Sequence, residues 1–439
     1  MKKTLCVLMV ILGLFAFSTT VFAASASTVR ISQEEIDGTV SNGQNNWPNI
    51  NGDGSWATFS SYATNLDSSI TNTNSKMQAY IHNTATGENI LISVNKDDDT
   101  IAGNRDSFYP SISDDGKWAA FGSDSTDLIE GERSRREEIF LYNVSSGDTS
   151  QISNSYTGGD ANRYTWYSQI SGDGTKVLFE TSATDIINDG LGGGCFVYNR
   201  LDENILRVSD PDVMPSPYTG CKGGTEPSIN YDGSYVTFMS GFSTVTDVML
   251  AYINTTTFEV EDIMLVSRDG YGIGEGGNGQ SINPSVSSNG NYVSFQSMAN
   301  DIDGITTDTD NLYDIYVYDR INDTHYHASV SSSGVNGNAN SKMASVSDDG
   351  IVAFESTATN LVNQDNNGKQ DVFTHDVITG KTARVSVADQ GGGESAEDAG
   401  WSRINNIDGK HIVFDSNATD LVSDPDTNGT YDIFIRNTK

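Results

Sequence analysis

One unit recurs seven times along the 439-residue chain, and self-similarity at a fixed period constrains a fold more than any local motif does. Its centre reads Pro110-Ser111-Ile112-Ser113-Asp114-Asp115-Gly116 and leads into an apolar run that ends on a phenylalanine. Those phenylalanines are Phe59, Phe121, Phe179, Phe238, Phe295, Phe354 and Phe414, spaced 57–62 residues apart. No linker or second domain interrupts the series.

Each unit carries four strand signals bounded by Gly, Asn and Asp, and helical periodicity is absent. The first is short, as in Pro284-Ser285-Val286, and the second alternates, as in Tyr292-Val293-Ser294-Phe295. The third is the most apolar, as in Ile315-Tyr316-Val317-Tyr318, and the fourth reads Arg-Val-Ser, as at 207–209 and 384–386. First and second strands meet at an Asp-Gly or Asn-Gly pair in every unit, from Asp53-Gly54 to Asp408-Gly409. Such pairs accept positive φ cheaply and suit a tight hairpin, so they read as structural. Four antiparallel strands repeated radially make a β-propeller, here all-β and seven-bladed. The seventh unit stops at Asn437 after its third strand, and Val29-Arg30-Ile31-Ser32 matches the missing fourth. The expectation is one propeller over residues 24–439, closed by pairing the N-terminal strand into the last blade.

Residues 1–23 read as a secretory signal peptide, with Lys2 and Lys3, an apolar run from Leu5 to Phe17, and Val21-Phe22-Ala23 before the cut. That run is short for a bilayer span, so no stable membrane insertion is expected after cleavage. The mature chain is expected to be a monomer in the periplasm or outside the cell. Its partner would be a protein or polysaccharide of the envelope or beyond. A net charge of −34 argues against nucleic acid and anionic membrane as partners. Cys195 and Cys221 are able to pair in an oxidising compartment, and the alternative is two buried thiols.

Connections alternate between short turns and long loops, which puts both long loops of every blade on one face. Loops on a rigid scaffold are where binding usually resides. Three second-to-third loops share an acidic pattern. They contain Asp424, Asp426, Asn428 and then Asp432; Asn363, Asp365, Asn367 and then Asp371; and Asp308, Asp310 and then Asp314. Alternating oxygen side chains with a glycine at the turn resemble the first half of an EF-hand loop and suit a hard cation, so structural calcium is the expectation. The competing reading is an Asp/Asn turn that bonds its own backbone.

Catalytic signals are weak, and no catalytic residue is assigned. None of the five histidines stands in a nucleophile motif; His82 and His375 share one repeat position and read as packing. Glu180, Glu355 and Asp415 follow the repeat phenylalanine where other units have Ser60, Gly122, Met239 and Gln296, and they read as solvated strand ends. Trp47, Trp166 and Trp401 precede the first strands and are candidate ligand-face aromatics.

The segment 110–121 with Glu138 to Asn143 resembles the WD40-like repeats of TolB-type propellers, and the resemblance covers nearly all of the mature chain. It implies the fold and leaves function open, because this repeat serves many exported proteins. The acidic loops look like a calcium-associated variant of that family. The expectation is an exported, non-enzymatic propeller that binds a protein or glycan on its long-loop face. The alternative is a polysaccharide lyase or glycoside hydrolase.

Overall fold

A computed structural model describes residues 26–34, 38–70, 74–131, 135–216, 218, 221, 226–242, 245–269, 276–302, 311–389, 393–424 and 426–438. The expected signal peptide lies outside the described residues.

Seven four-stranded antiparallel sheets stand in a ring, and no helix occurs among the described residues. Blade one is typical, with strands Asn45–Ile50, Trp56–Ser61, Gln78–Asn83 and Asn89–Leu91 from the axis outward. The alternating second strand and apolar third strand are buried because neighbouring blades cover both faces. The repeat phenylalanine faces a third-strand ring in register in six blades, with centroids 5.7–5.9 Å apart. In blade four Met249 takes that place opposite Phe238. Each such side chain contributes about 1.5–3 kcal/mol on burial, which makes this stack the main cohesive element of a blade.

The ring closes as the sequence predicts. Ser27–Arg30 pairs antiparallel with Asp432–Asn437, with Val29 opposite Ile435, and Ile31 donates to the Ile433 carbonyl at 2.9 Å. A small hairpin after blade one, Val94–Asn95 with Asp98–Ala102, has no counterpart in the repeat pattern. Cys195, buried in blade three, is joined by a disulfide to Cys221, with Cα atoms 5.8 Å apart. Cys221 also bridges to Ser240 of blade four, so the link ties two neighbouring blades.

The Asp-Gly turns are tight because blades meet there. Gly116 has φ of 67°, and a Cβ on it would lie 2.2 Å from Trp56 Nε1 of the preceding blade. At this short-turn end the channel is belted by bonds between blades. Gly52 N–H donates to Asp114 Oδ1 at 2.7 Å, and Asn289 N–H donates to Asp348 Oδ1 at 2.7 Å. Burial pushes the Asp348 carboxyl up to about 6.

Candidate functional site

The innermost strand of six blades, and in blade four the segment just before it, carries one residue forced into the left-handed region. These residues are Trp47 (φ 52°), Tyr109 (48°), Tyr167 (46°), Glu226 (44°), Asn283 (52°), Met343 (53°) and Trp401 (44°). In six blades the pairing register shifts there, which marks a β-bulge. A bulge re-aims its side chain, and a non-glycine residue held this way costs on the order of 1–3 kcal/mol. First strands run from the long-loop face to the short turns, so these bulges near their starts lie toward the long-loop mouth of the channel.

Around the ring the seven positions divide in two. Blades seven, one, two and three give Trp401, Trp47, Tyr109 and Tyr167, all half-buried. Trp47 and Tyr109 have centroids 4.5 Å apart, and Tyr109 and Tyr167 5.7 Å. Blades four, five and six give Glu226, Asn283 and Met343. The four rings and Arg403 line one hollow at the mouth, and Arg403, Glu226, Asn283 and Met343 line the hollow beside it. Arg403 Nη2 donates to Glu226 Oε2 at 2.8 Å, a bond from blade seven to blade four across the axis.

Two of the three tryptophan candidates fall here, and they sit inside the first strands rather than before them. Trp166 is one residue out of register: it pairs with Glu180 in the ladder, and its neighbour Tyr167 takes the bulge. Tyr109 and Tyr167 were missed by sequence reasoning. The signal for Tyr109 was the proline that follows the left-handed residue in four blades, Pro48, Pro110, Pro227 and Pro284; Tyr167, followed by Ser168, had only its place in the repeat.

Behind this wall the residue after the repeat phenylalanine serves the next blade in blades five and six. Gln296 Oε1 accepts from Met343 N–H at 3.0 Å, and Glu355 Oε2 accepts from Trp401 N–H at 2.9 Å. Glu180, Glu355 and Asp415 are therefore buried (1%, 7% and 4% exposed), not solvated strand ends. Burial raises Glu355, and burial together with the Glu355 charge pushes Asp415 up to about 8. Neither Glu355 nor Asp415 lines the channel hollows.

The acidic loops lie on the long-loop side, away from the axis. Asp308 and Asp310 fall outside the described residues. In blade six Asp365 and Asp371 converge on Arg384 at 3.2 and 3.5 Å, with Glu394 at 3.6 Å; in blade seven Asp426 and Asp432 converge on Arg30 at 3.9 and 3.4 Å. The side chains of these arginines and of the four aspartates they meet are buried. Asn363 and Asp424 are exposed, outside the clusters. The amide nitrogens of Asn367 and Asn428 donate inward, to the Ser395 carbonyl and the Ser41 carbonyl, while their oxygens accept from Lys369 and Thr430 N–H. Asp314, Asp371 and Asp432 each accept from the serine of an Arg-Val-Ser-type strand. A cation needs converging oxygens, whereas here a guanidinium faces the paired carboxylates and amide N–H groups point inward. Burial raises Asp371 and Asp432 to about 6 despite their arginines.

No histidine lines the channel hollows among the described residues. His82 and His375 are buried against Asn89 and Thr382, and burial lowers both.

No protein-family model matches the chain, and no curated protein matches it. Solved structures do. The β-propeller domain of the trilobed protease from Pyrococcus furiosus superposes with a TM-score of 0.51 at 11% identity, covering 90% of this chain and 95% of that one. What the two share is the propeller fold. That domain is described as having an open velcro topology, whereas here the N-terminal strand closes blade seven. TolB from Acinetobacter baumannii gives 0.40 at 12% identity, covering 70% of this chain, which spans 58% of TolB's length. Dipeptidyl peptidase 4 from Porphyromonas gingivalis gives 0.46 at 13%, covering 85% of this chain and 49% of that one.

Proposed function

We propose that this chain is an exported, non-enzymatic propeller that binds a protein or a glycan at the long-loop mouth of its channel. The observation that carries this reading is the run of four half-buried rings, Trp401, Trp47, Tyr109 and Tyr167, on adjacent blades. Large amphipathic rings that stay partly wet around a concave site are suited to stacking on a ligand. Asn49, Gln169 and Asn283 beside them supply hydrogen-bonding groups that fix orientation.

A lyase or hydrolase is the second reading, favoured by the approach of Tyr167, Arg403 and Glu226 to one point. Two observations weigh against it. Burial pushes Tyr109 up to about 12 and raises Tyr167 further, the wrong direction for a phenol acting as a base. Asp415, pushed up to about 8, is buried and lines none of the channel hollows. In the same proposal arginine, rather than calcium, supplies the counter-charge in the acidic loops.

The test uses purified mature protein with a panel of acidic and neutral polysaccharides. Tryptophan emission reports binding, and reducing ends with unsaturated products report cleavage. The expected result is an emission change without product, abolished in Trp47→Ala/Trp401→Ala. Product release that depends on intact protein would overturn the reading.

A further inference from the structure

We propose that the channel mouth takes a positively charged side chain of a polypeptide, a lysine or an arginine, which replaces the Arg403 guanidinium on Glu226. This rests on the mouth being a binding site, as argued above.

Arg403 is out of pattern. The equivalent residues of the other blades are Asn49, Ser111, Gln169, Ser228, Ser285 and Ser345. Four of them accept an N–H from the next blade: Ser111 from Ile170 at 3.0 Å, Gln169 from Ile229 at 3.0 Å, Ser228 from Val286 at 3.3 Å and Ser345 from Ile404 at 2.8 Å. Arg403 instead sends a cation across the axis, where it acts as an internal stand-in for a ligand.

The two partners of that bond differ in freedom. Glu226 sits on left-handed backbone directly before Pro227, whose ring restricts the backbone there, and its side chain is the shorter of the two. Arg403 hangs on a long flexible stem. Their side chains are 20% and 19% exposed, open enough to solvent for exchange. The arginine is therefore the partner that leaves.

Charge decides the sign of the newcomer. The chain carries −34, which steers cations to the mouth and repels anions. The ring faces of Trp47 and Tyr167 favour a cation as well. A long methylene stem suits lying along Tyr167, which lines both hollows, to reach Glu226, and a sugar's ring-borne amine lacks such a stem.

The experiment titrates the mature protein with a fluorescein-labelled decapeptide of alternating lysine and glycine. Its glutamate counterpart is the control, and chitohexaose is the neutral probe read by tryptophan emission. Glu226→Gln should weaken the lysine peptide about tenfold or more. Arg403→Ala should strengthen it severalfold, because the internal competitor is gone. Glu88→Gln, on an exposed outer turn, should leave it unchanged. Equal binding of the two peptides overturns the inference, as does equal weakening by Glu226→Gln and Glu88→Gln, which would put the peptide on the general acidic surface. If chitohexaose perturbs emission and the lysine peptide does not bind, the inference falls while the mouth reading stands. If neither binds, both fall. Should Glu226→Gln fail to fold, Arg403→Ala decides: strengthening supports the inference, and unchanged or weaker binding contradicts it.

Discussion

Single side chains in this ring do work that their type does not announce. Asp415 is a strand residue with an acid's name and a buried proton. Its folded-state pKa of about 8 stands above the unfolded value of about 3.9. Between those values the folded chain holds a proton that the unfolded chain has released, so stability falls as pH rises from about 4 to about 8. Asp415→Asn removes that loss. Thermal melts should show the variant gaining about 3–4 kcal/mol over the parent at pH 8 relative to pH 5. A variant equally destabilised at both pH values would exclude Asp415 as the source. The sequence showed that Glu180, Glu355 and Asp415 depart from the repeat, but not which way they face. Glu355 receives the N–H of the Trp401 bulge in the next blade and Asp415 that of Gly400 in its own, and a bulge moves register by one residue. The same shift explains why Trp166 was singled out when Tyr167 holds the place.

Among the elements, the second-to-third loops show how a local pattern leaves its partner unnamed. The Asp-x-Asn-Gly-x-x-Asp spacing is plain in the sequence. The partner is an arginine on the fourth strand, and nothing local in the loop points to it. Arg207 does the same in blade three, where it meets Asp189 at 2.6 Å and the carbonyls of Gly192 and Gly193. Removing one partner of a buried pair leaves a charge without compensation and costs about 3–5 kcal/mol. Arg384→Met should therefore destabilise by about that amount in chemical denaturation, and adding Asp371→Asn should recover part of it. The guanidinium account also predicts that EDTA leaves the melting temperature within about 1 °C of its starting value. A fall reversed by calcium would show that a metal shares these loops.

At the level of the whole molecule, strand count, blade number and the closing strand were all legible. They follow from a 57–62-residue period and from a fourth strand displaced to the other terminus. The channel was not legible, because it is assembled from one short strand of each blade and its chemistry depends on residues as far apart as Glu226 and Arg403. Closure predicts that deleting residues 27–32 exposes the edge of blade seven and strips Asp426 and Asp432 of Arg30, so the variant should melt lower and aggregate by light scattering. An unchanged melt would mean that the strand is dispensable. The most direct test of the binding mouth is hydrogen exchange on the mature protein, with and without whichever member of the polysaccharide and peptide panels binds. The account predicts added protection over residues 46–50, 108–112, 166–170 and 401–404, the inner strands that carry the rings. Protection confined to the outer strands, with the inner strands unchanged, would contradict it.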